Sequence, residues 1–585
     1  MAPRLFEKKT YKFLFPKVEE KGEEKMSEGA YTSSAETLGQ VNEENVEAGI
    51  KQVQAITSSW SRFDLVMAYL AVFLCFFMLS QQQQMAMTLT PYVTSAFAKH
   101  ALIGTTQIMA NVTGAVVKLP IGRAIDIWGR MPGYILMVCF CTLGVVMMAL
   151  CNSVETYAAA QVFYWIGFHG ITYVLDVFLA DTSSLKNRGW IFAFSTSPFI
   201  ATAFSGPSAA RAFYLAAGWR WAFGTCAIAC PIVASPVVYI FARSRKKAKK
   251  LGYLNEKSSN RTLLESVKYY VARFDLLGMI LCVAAFALIL LPTNIASFSP
   301  ALWKSPPIIA MIVTGACSAI AFVLWEKFWA PVCFAPFHLL SDRMVLGGCL
   351  LSLITFCSFY CWDVYFVSYL QVVHDLDIHK AGYIGNIFSI GTCVFSFLIG
   401  GLIRACGIFK WPAMAAIPVQ IAGITLMLFF RRPDASLPLI IVPQILISLS
   451  GGTIAICEQM AVMAAASQSE TAIVLAFLGM FSSLGASLGQ TVASAIWMST
   501  FPRFLRLYLP EDAKGKTAEI YASLKTQLEY PMGSPIRDVI IRAYAIGQQR
   551  MLVAAMALMA IAVFCVIMWR NLNLRKVQQN KGVQL

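Results

Sequence analysis

Runs of about twenty mainly apolar residues recur along the whole chain, separated by short polar or charged segments. They fall near 64–88, 101–124, 133–151, 157–180, 190–214, 220–242, 275–292, 306–327, 343–366, 380–402, 411–430, 437–457, 471–497 and 551–569. An α-helix of about 20 residues is about 30 Å long, the thickness of the hydrocarbon layer, and only helices satisfy their own backbone inside lipid. The pattern therefore predicts an all-α polytopic membrane protein with about fourteen transmembrane helices, solvated by the lipid bilayer. Before the first run, residues 1–41 carry little apolar periodicity and read as a tail. Val46, Ile50, Val53 and Ile56 then recur at helical spacing between Asn42 and Ser58. They predict a short amphipathic helix, either docking on the membrane face or simply preceding the first span.

Composition agrees with lipid as the solvent. Of 585 residues 58% are hydrophobic and 13% charged, with a mean hydropathy of +0.63. The net charge is +16, but the basic residues sit in the segments between apolar runs, which points to anionic lipid and away from nucleic acid. The 16 cysteines are scattered without a CxxC pair or zinc spacing, so they read as packing residues, and no metal site or cofactor is expected. Residues 1–60 show no cleavable signal, and the first span is expected to serve for insertion.

Orientation follows from the run Arg243-Ser244-Arg245-Lys246-Lys247-Ala248-Lys249-Lys250, which opens a polar stretch reaching Arg273 and is expected in the cytoplasm. That choice puts Arg123/Arg130, Lys186/Arg188, Arg404/Lys410 and the tail Arg570–Lys576 inside as well, with both termini cytoplasmic. Residues 503–550 become a long external loop despite their arginines and lysines.

Between the second and third spans stands Gly122-Arg123-Ala124-Ile125-Asp126-Ile127-Trp128-Gly129-Arg130. It resembles the loop signature G-x-x-x-D-x-x-G-R of the major facilitator superfamily. Gly122 and Gly129 permit close approach and a tight turn, while Asp126 and Arg130 form a gating latch at a membrane boundary; an ordinary charged turn is the plainer alternative. Gly400, Arg404 and Gly407 repeat the offsets of Gly122, Asp126 and Gly129. The echo predicts a 6+2+6 arrangement: a tail over 1–63, a first bundle over 64–242, a basic loop over 243–274, two inserted helices over 275–327, a second bundle over 343–569 and a tail over 570–585.

Charge inside an apolar span costs energy and asks for a reason. In the fourth span Trp165, His169, Tyr173 and Asp176 share one helix face, expected to line a cavity, with Gln161 and Tyr164 extending its polar character. His169 reads as a proton carrier or as a hydrogen-bonded structural residue. Asp176 reads as a coupling or substrate contact or as an interfacial charge, and Asp363 and Glu458 pose the same choice. Gln81–Gln84 form a polar block in the first span, and Gly485 and Gly489 are spaced for close helix packing. The segment His374-Asp375-Leu376-Asp377-Ile378-His379 reads as a solvated external loop.

Several segments, in order, resemble the fungal siderophore–iron transporters, a fourteen-span branch of the major facilitator superfamily. They are Thr90-Pro91-Tyr92, Gln161–Gly167, Ala180–Leu185 with Arg188, Gly218–Phe223 and Ser368–Val373, and the resemblance runs from about Glu47 to the last span. It implies proton-coupled import of an intact ferric siderophore, of hydroxamate type, by a monomer in the plasma membrane, or alternatively an endosomal or vacuolar one. A chelated iron needs no protein ligands, so a bulky chelate would be held by Tyr164, Trp165, Tyr173, Tyr360, Trp362, Tyr365 and Gln161, with His169, Asp176, Asp363 and Glu458 as coupling positions. A drug–proton antiporter of the same fold is the rival, weakened by Thr202, Ala209 and Ala210 where its glycines would stand, and a membrane sensor is the rival of another class. No phosphate loop or nucleophile–base pattern points to an enzyme.

Overall fold

Because lipid offers a backbone no hydrogen-bond partner, each apolar run has to close its own ladder. The computed structural model describes residues 60–96, 103–251, 262, 265, 271, 273–275, 276–295, 304–330, 337–467, 470–522 and 524–575. All of them lie in one unit, Glu47–Leu585. The amphipathic segment 42–58 and the tails lie outside the described residues.

The first seven helices are α1 (Arg62–Ala96), α2 (Ile103–Trp128), α3 (Arg130–Leu150), α4 (Val154–Thr182), α5 (Leu185–Thr196), α6 (Pro198–Ala216) and α7 (Trp219–Lys250). Two more, α8 (Leu276–Ile295) and α9 (Pro306–Phe328), lead through the short α10 (Phe337–Ser341) to α11 (Arg343–Asp363), α12 (Phe366–His374), α13 (Ile378–Gly385) and α14 (Ile387–Cys406). The chain ends with α15 (Lys410–Phe430), α16 (Leu437–Ala465), α17 (Thr471–Tyr508), α18 (Thr517–Ala522), α19 (Leu524–Glu529) and α20 (Pro535–Ile567). Among the described residues eleven stretches are long and apolar enough to cross a membrane. The other three expected spans are helical too, as α2, the pair α5–α6, and α8, but fall outside that set. At Ser197, Pro198 supplies no N–H to the ladder, and α5 gives way to α6.

Two boundaries differ from expectation. The basic run Arg243–Lys250 forms the last turns of α7 instead of a loop, since lysines suit the negative end of a helix dipole. Residues 503–550 are mostly helical: α17 runs on to Tyr508, α20 starts at Pro535 behind the Ser534 cap, and short helices fill the interval. Arg537 explains how so polar a segment stays folded. Its buried guanidinium donates to the carbonyls of Val372 at 3.1 Å, Gln527 at 2.6 Å, Tyr530 at 3.3 Å and Gln371 at 3.5 Å, and lies 3.6 Å from Asp375. Arg537→Ala is therefore expected to cost about 3 kcal/mol by orphaning several acceptors at once. A lower melting temperature in detergent and faster proteolysis within 509–534 are the readouts.

Packing sorts the helices into two groups. α3 lies along α4 and α7, and α1 along α6 and α7, forming the first group with α2. α11 packs on α17 and α20, and α16 on α14 and α15, forming the second. The groups meet along two seams, α2 on α17 and α5 with α6 on α14. α9 packs on α8, which rests on α2 and α17. Gly485 and Gly489 let α17 press its backbone against the Leu353 and Cys357 carbonyls of α11, the close approach their spacing predicts.

Candidate functional site

The loop motif closes into a triad. Arg130 Nη1 donates to Asp126 Oδ1 at 2.8 Å and to the Ile125 carbonyl at 3.1 Å, and Nε donates to Asp181 Oδ2 at 3.0 Å. All three side chains are buried. Gly129, at φ 94°, makes the turn that swings Arg130 back onto Asp126, a conformation an L side chain rarely adopts. Asp181 was not legible as a partner because it stands 51 residues further on. At the echo, Gly407 has φ 75°, but Arg404 stacks over the Trp190 ring at 5.7 Å, across the seam, instead of joining an acid. Here α14 and α5 touch through their backbones: a Cβ on Gly400 would lie 2.9 Å from the Gly189 carbonyl oxygen and from Trp190 Cα. This end of the two groups is the latch end.

Along the other seam the polar face of α4 meets α17. Tyr173 Oη donates to the Ala472 carbonyl at 2.5 Å and lies against Gly122. His169 stacks with Trp165 at 5.5 Å and sits beside Gly114 of α2 and Ser483 of α17. Asp176 is attracted by Lys118 of α2, a cation inside an apolar run that the sequence reading passed over. Lys118 Nζ in turn donates to the Gly479 carbonyl at 3.4 Å. One step along α17, Ser482 hydrogen-bonds Ser352 at 2.7 Å, and Ser352 donates to Glu458 Oε1 at 3.0 Å, leaving the buried Glu458 Oε2 without a hydrogen-bond partner. Glu458 of α16 thus reaches α17 through Ser352 of α11 and Ser482, while Lys118 of α2 meets α17 directly at the Gly479 carbonyl.

The remaining predicted positions are distributed more widely. Gln161 donates to Tyr157 Oη at 2.8 Å and Tyr164 is fully buried where α4 crosses α3, both on a different face from His169. In the second group Arg431, fully buried, donates to Gln548 at 2.7 Å and covers the rings of Phe366 at 4.0 Å and Trp362 at 5.1 Å. Asp363 attracts the same guanidinium, so Trp362 and Asp363 serve one buried cation. Tyr360 packs edge-on against Phe359, and Tyr365 stacks on Trp497 at 4.4 Å within a row that continues to Phe501 and Tyr544. Away from the latch end, a cavity of about 400 Å³ opens on the α6/α14 seam between Phe204, Tyr383, Ile387, Gly391 and Ser448. Outside the spans, Glu470 precedes α17: burial pushes its carboxyl up, but hydrogen bonds from Ser467 and His338 outweigh that and hold it below its ordinary value. Among the described residues no His, Cys, Asp and Glu side chains gather into a metal-holding group.

Comparison with known proteins places this geometry in context. The family described as Major Facilitator Superfamily matches residues 72–346. The chain is 46% identical over 540 residues to MFS siderochrome iron transporter 1 of Ajellomyces capsulatus, covering 92% of each chain. It is 42% identical over 541 residues to MFS siderochrome iron transporter D of Aspergillus fumigatus, covering 92% of this chain and 90% of that one. Siderophore iron transporter mirB of Emericella nidulans is 39% identical over 541 residues, with the same coverage of 92% and 90%. Among solved structures, the human organic anion transporter MFSD10 superposes with a TM-score of 0.52 at 12% identity, covering 86% of this chain and 99% of that one, which is a likeness of fold.

Proposed function

Since the chain belongs to the siderochrome–iron transporters of the Major Facilitator Superfamily, we propose that it imports an intact ferric siderophore, of hydroxamate type, by proton-coupled alternating access. The carrying observation is the 46% identity over 92% of both chains to a siderochrome iron transporter. Transport and not catalysis is what its relatives' names describe.

In this reading the two helix groups are rocking bundles of six spans, α8 and α9 are the inserted pair, and fourteen spans leave both termini in the cytoplasm. The latch end faces the cytoplasm, the working membrane is the plasma membrane and the unit is a monomer. Substrate would enter from the end opposite the latch and meet the aromatics Trp165, Tyr173, Tyr360 and Tyr365, with Trp362, Tyr164 and Gln161 backing them. Asp176 and Glu458 carry the coupling proton, with His169 between them beside Ser483, and Asp363 sets the charge around Arg431.

Two features support the coupling role: Asp176 lies in the attractive field of Lys118, a cation of the same bundle, and Glu458 reaches the seam through Ser352 and Ser482. Expression in a yeast lacking its own siderophore carriers, with labelled ferric hydroxamates, tests the proposal. Protonophore-sensitive accumulation is the expected result, whereas drug resistance without accumulation rejects import. Glu458→Gln keeps the Ser352 hydrogen bond but removes the titrating group. It should lower concentrative uptake by about tenfold while leaving substrate exchange within a few-fold of wild type. Equal loss of both would make Glu458 a structural residue.

A further inference from the structure

The loop motif holds two large side chains that the Arg130 triad does not use, Arg123 and Trp128, and both reach the entry of α8. Arg123 is buried, and its guanidinium donates twice to the Arg273 carbonyl, from Nε at 3.3 Å and from Nη2 at 3.1 Å. Trp128 meets Phe274 edge-on, with ring centroids 4.9 Å apart. The next residue, Asp275, is buried in the left-handed region at φ 46°, which aspartate tolerates better than most residues. Its Oδ1 accepts the Gly278 amide at 3.3 Å, capping α8, and Trp325 Nε1 of α9 at 2.8 Å. One short segment therefore starts α8, holds α9 and is gripped by α2.

Farther along, Val112 of α2 packs in one small apolar cluster with Ala287 of α8 and Leu484 of α17, so three helices meet there. Gly315 lets α9 lie against the α8 backbone at Leu288 and Ile289, which makes the two helices one tight hairpin. We propose that Arg123 and Trp128 are positioning residues that moor this hairpin to the first helix group, and that α8 is a brace holding the α2/α17 seam closed at the latch end. This rests on the transport reading above. The packing of α8 on α17 exists while α17 adjoins α2 and is given up when they part, so it favours the closed seam. The grip on the Arg273 carbonyl and the contact with Phe274 both belong to the first group. On opening, α8 therefore travels with α2 and slides from α17.

Arg123 also stands one helical turn before Asp126, so mooring has to be separated from an effect of its charge on the triad. Two substitutions do this. Arg123→Lys keeps a positive charge beside the triad, but an ammonium lacks the planar fork that gives one carbonyl two N–H bonds. Phe274→Ala leaves every charge in place and removes only the ring that Trp128 meets.

The test measures amide hydrogen exchange of the full chain in detergent, and transport of a radio-iron-labelled ferric trihydroxamate into proteoliposomes under an imposed pH gradient. Arg123→Lys and Phe274→Ala should each speed exchange in α8 and α9 by about tenfold or more while α3 and α4 stay within about twofold of wild type. Residues 471–478, the first turns of α17, should speed up as well, because the brace no longer bears on that helix. Unchanged exchange in α8 and α9 overturns the mooring, and equal acceleration in α3 and α4 reduces both residues to general packing. In transport, Phe274→Ala should cut accumulation about fivefold and keep equilibrium exchange of substrate at or above wild type, since a seam closed less of the time releases what it gathers. Wild-type accumulation, or loss of accumulation and exchange together at equal membrane abundance, rejects the brace. If wild type moves no trihydroxamate, the transport reading fails by itself, and hydrogen exchange in α8, α9 and residues 471–478 still decides the mooring and the brace.

Discussion

Gly400→Val is expected to wedge the latch end apart, cutting accumulation of ferric siderophore by about tenfold or more at normal membrane abundance. The new Cβ would start 2.9 Å from the Gly189 carbonyl oxygen and Trp190 Cα, both backbone atoms that cannot rotate away as a side-chain tip would. Relief has to come from moving α14 away from α5, and the same seam carries the Arg404–Trp190 stack. Gly400→Ala should show a smaller version of the same defect. Uptake and a cross-link between cysteines placed on α5 and α14 would follow it, and unchanged uptake with an intact cross-link would show that this contact is not part of gating.

Arg130→Leu should be more damaging to the protein itself. It leaves the Asp126 and Asp181 carboxylates buried without the guanidinium that both now share. Removing one partner from a buried ionic group typically costs about 3–5 kcal/mol, whereas replacing the whole group by neutral residues is often far milder. Arg130→Leu combined with Asp126→Asn and Asp181→Asn should therefore recover much of the lost abundance and melting temperature. It should not recover normal transport, because the charged latch is gone. A triple variant as unstable as the single one would show that packing, and not uncompensated charge, is what Arg130 supplies.

These residues also mark how far sequence could be read. Span positions were legible because hydrophobicity is summed over about twenty residues and tolerates local error. Gly129 and Gly407 were legible because a tight turn restricts residue type at one position, and Gly485 and Gly489 because close helix packing repeats at a fixed interval. Pairings between distant helices were not. Asp181 completes the latch from 51 positions away, and nothing in its own segment marks it as a partner for Arg130. Lys118 and Arg431 were overlooked for a related reason: one sits singly in an apolar run, and the other ends a span where basic residues are common. Only packing shows the first crossing to Gly479 and the second buried beneath Phe366 and Trp362. The polarity of segment 503–550 hides its fold, since the burial of Arg537 depends on carbonyls supplied by Val372 of α12 and Gln527 of α19.

The length of α17 gives it a mechanical role. Its 38 residues make a rod of about 57 Å, against a hydrocarbon layer of about 30 Å. Pro502 leaves one ladder bond unmade near the far end, and up to that point a helix that overhangs its support works as a lever: a rotation of about 10° around its midpoint carries the tip about 5 Å. Tyr508 and α19, which Arg537 fastens through the Gln527 carbonyl, ride on that tip, so they act as a pointer for motion at the seam far below. A fluorophore placed on residues 511–516 is expected to report that motion, with the helix providing the amplification.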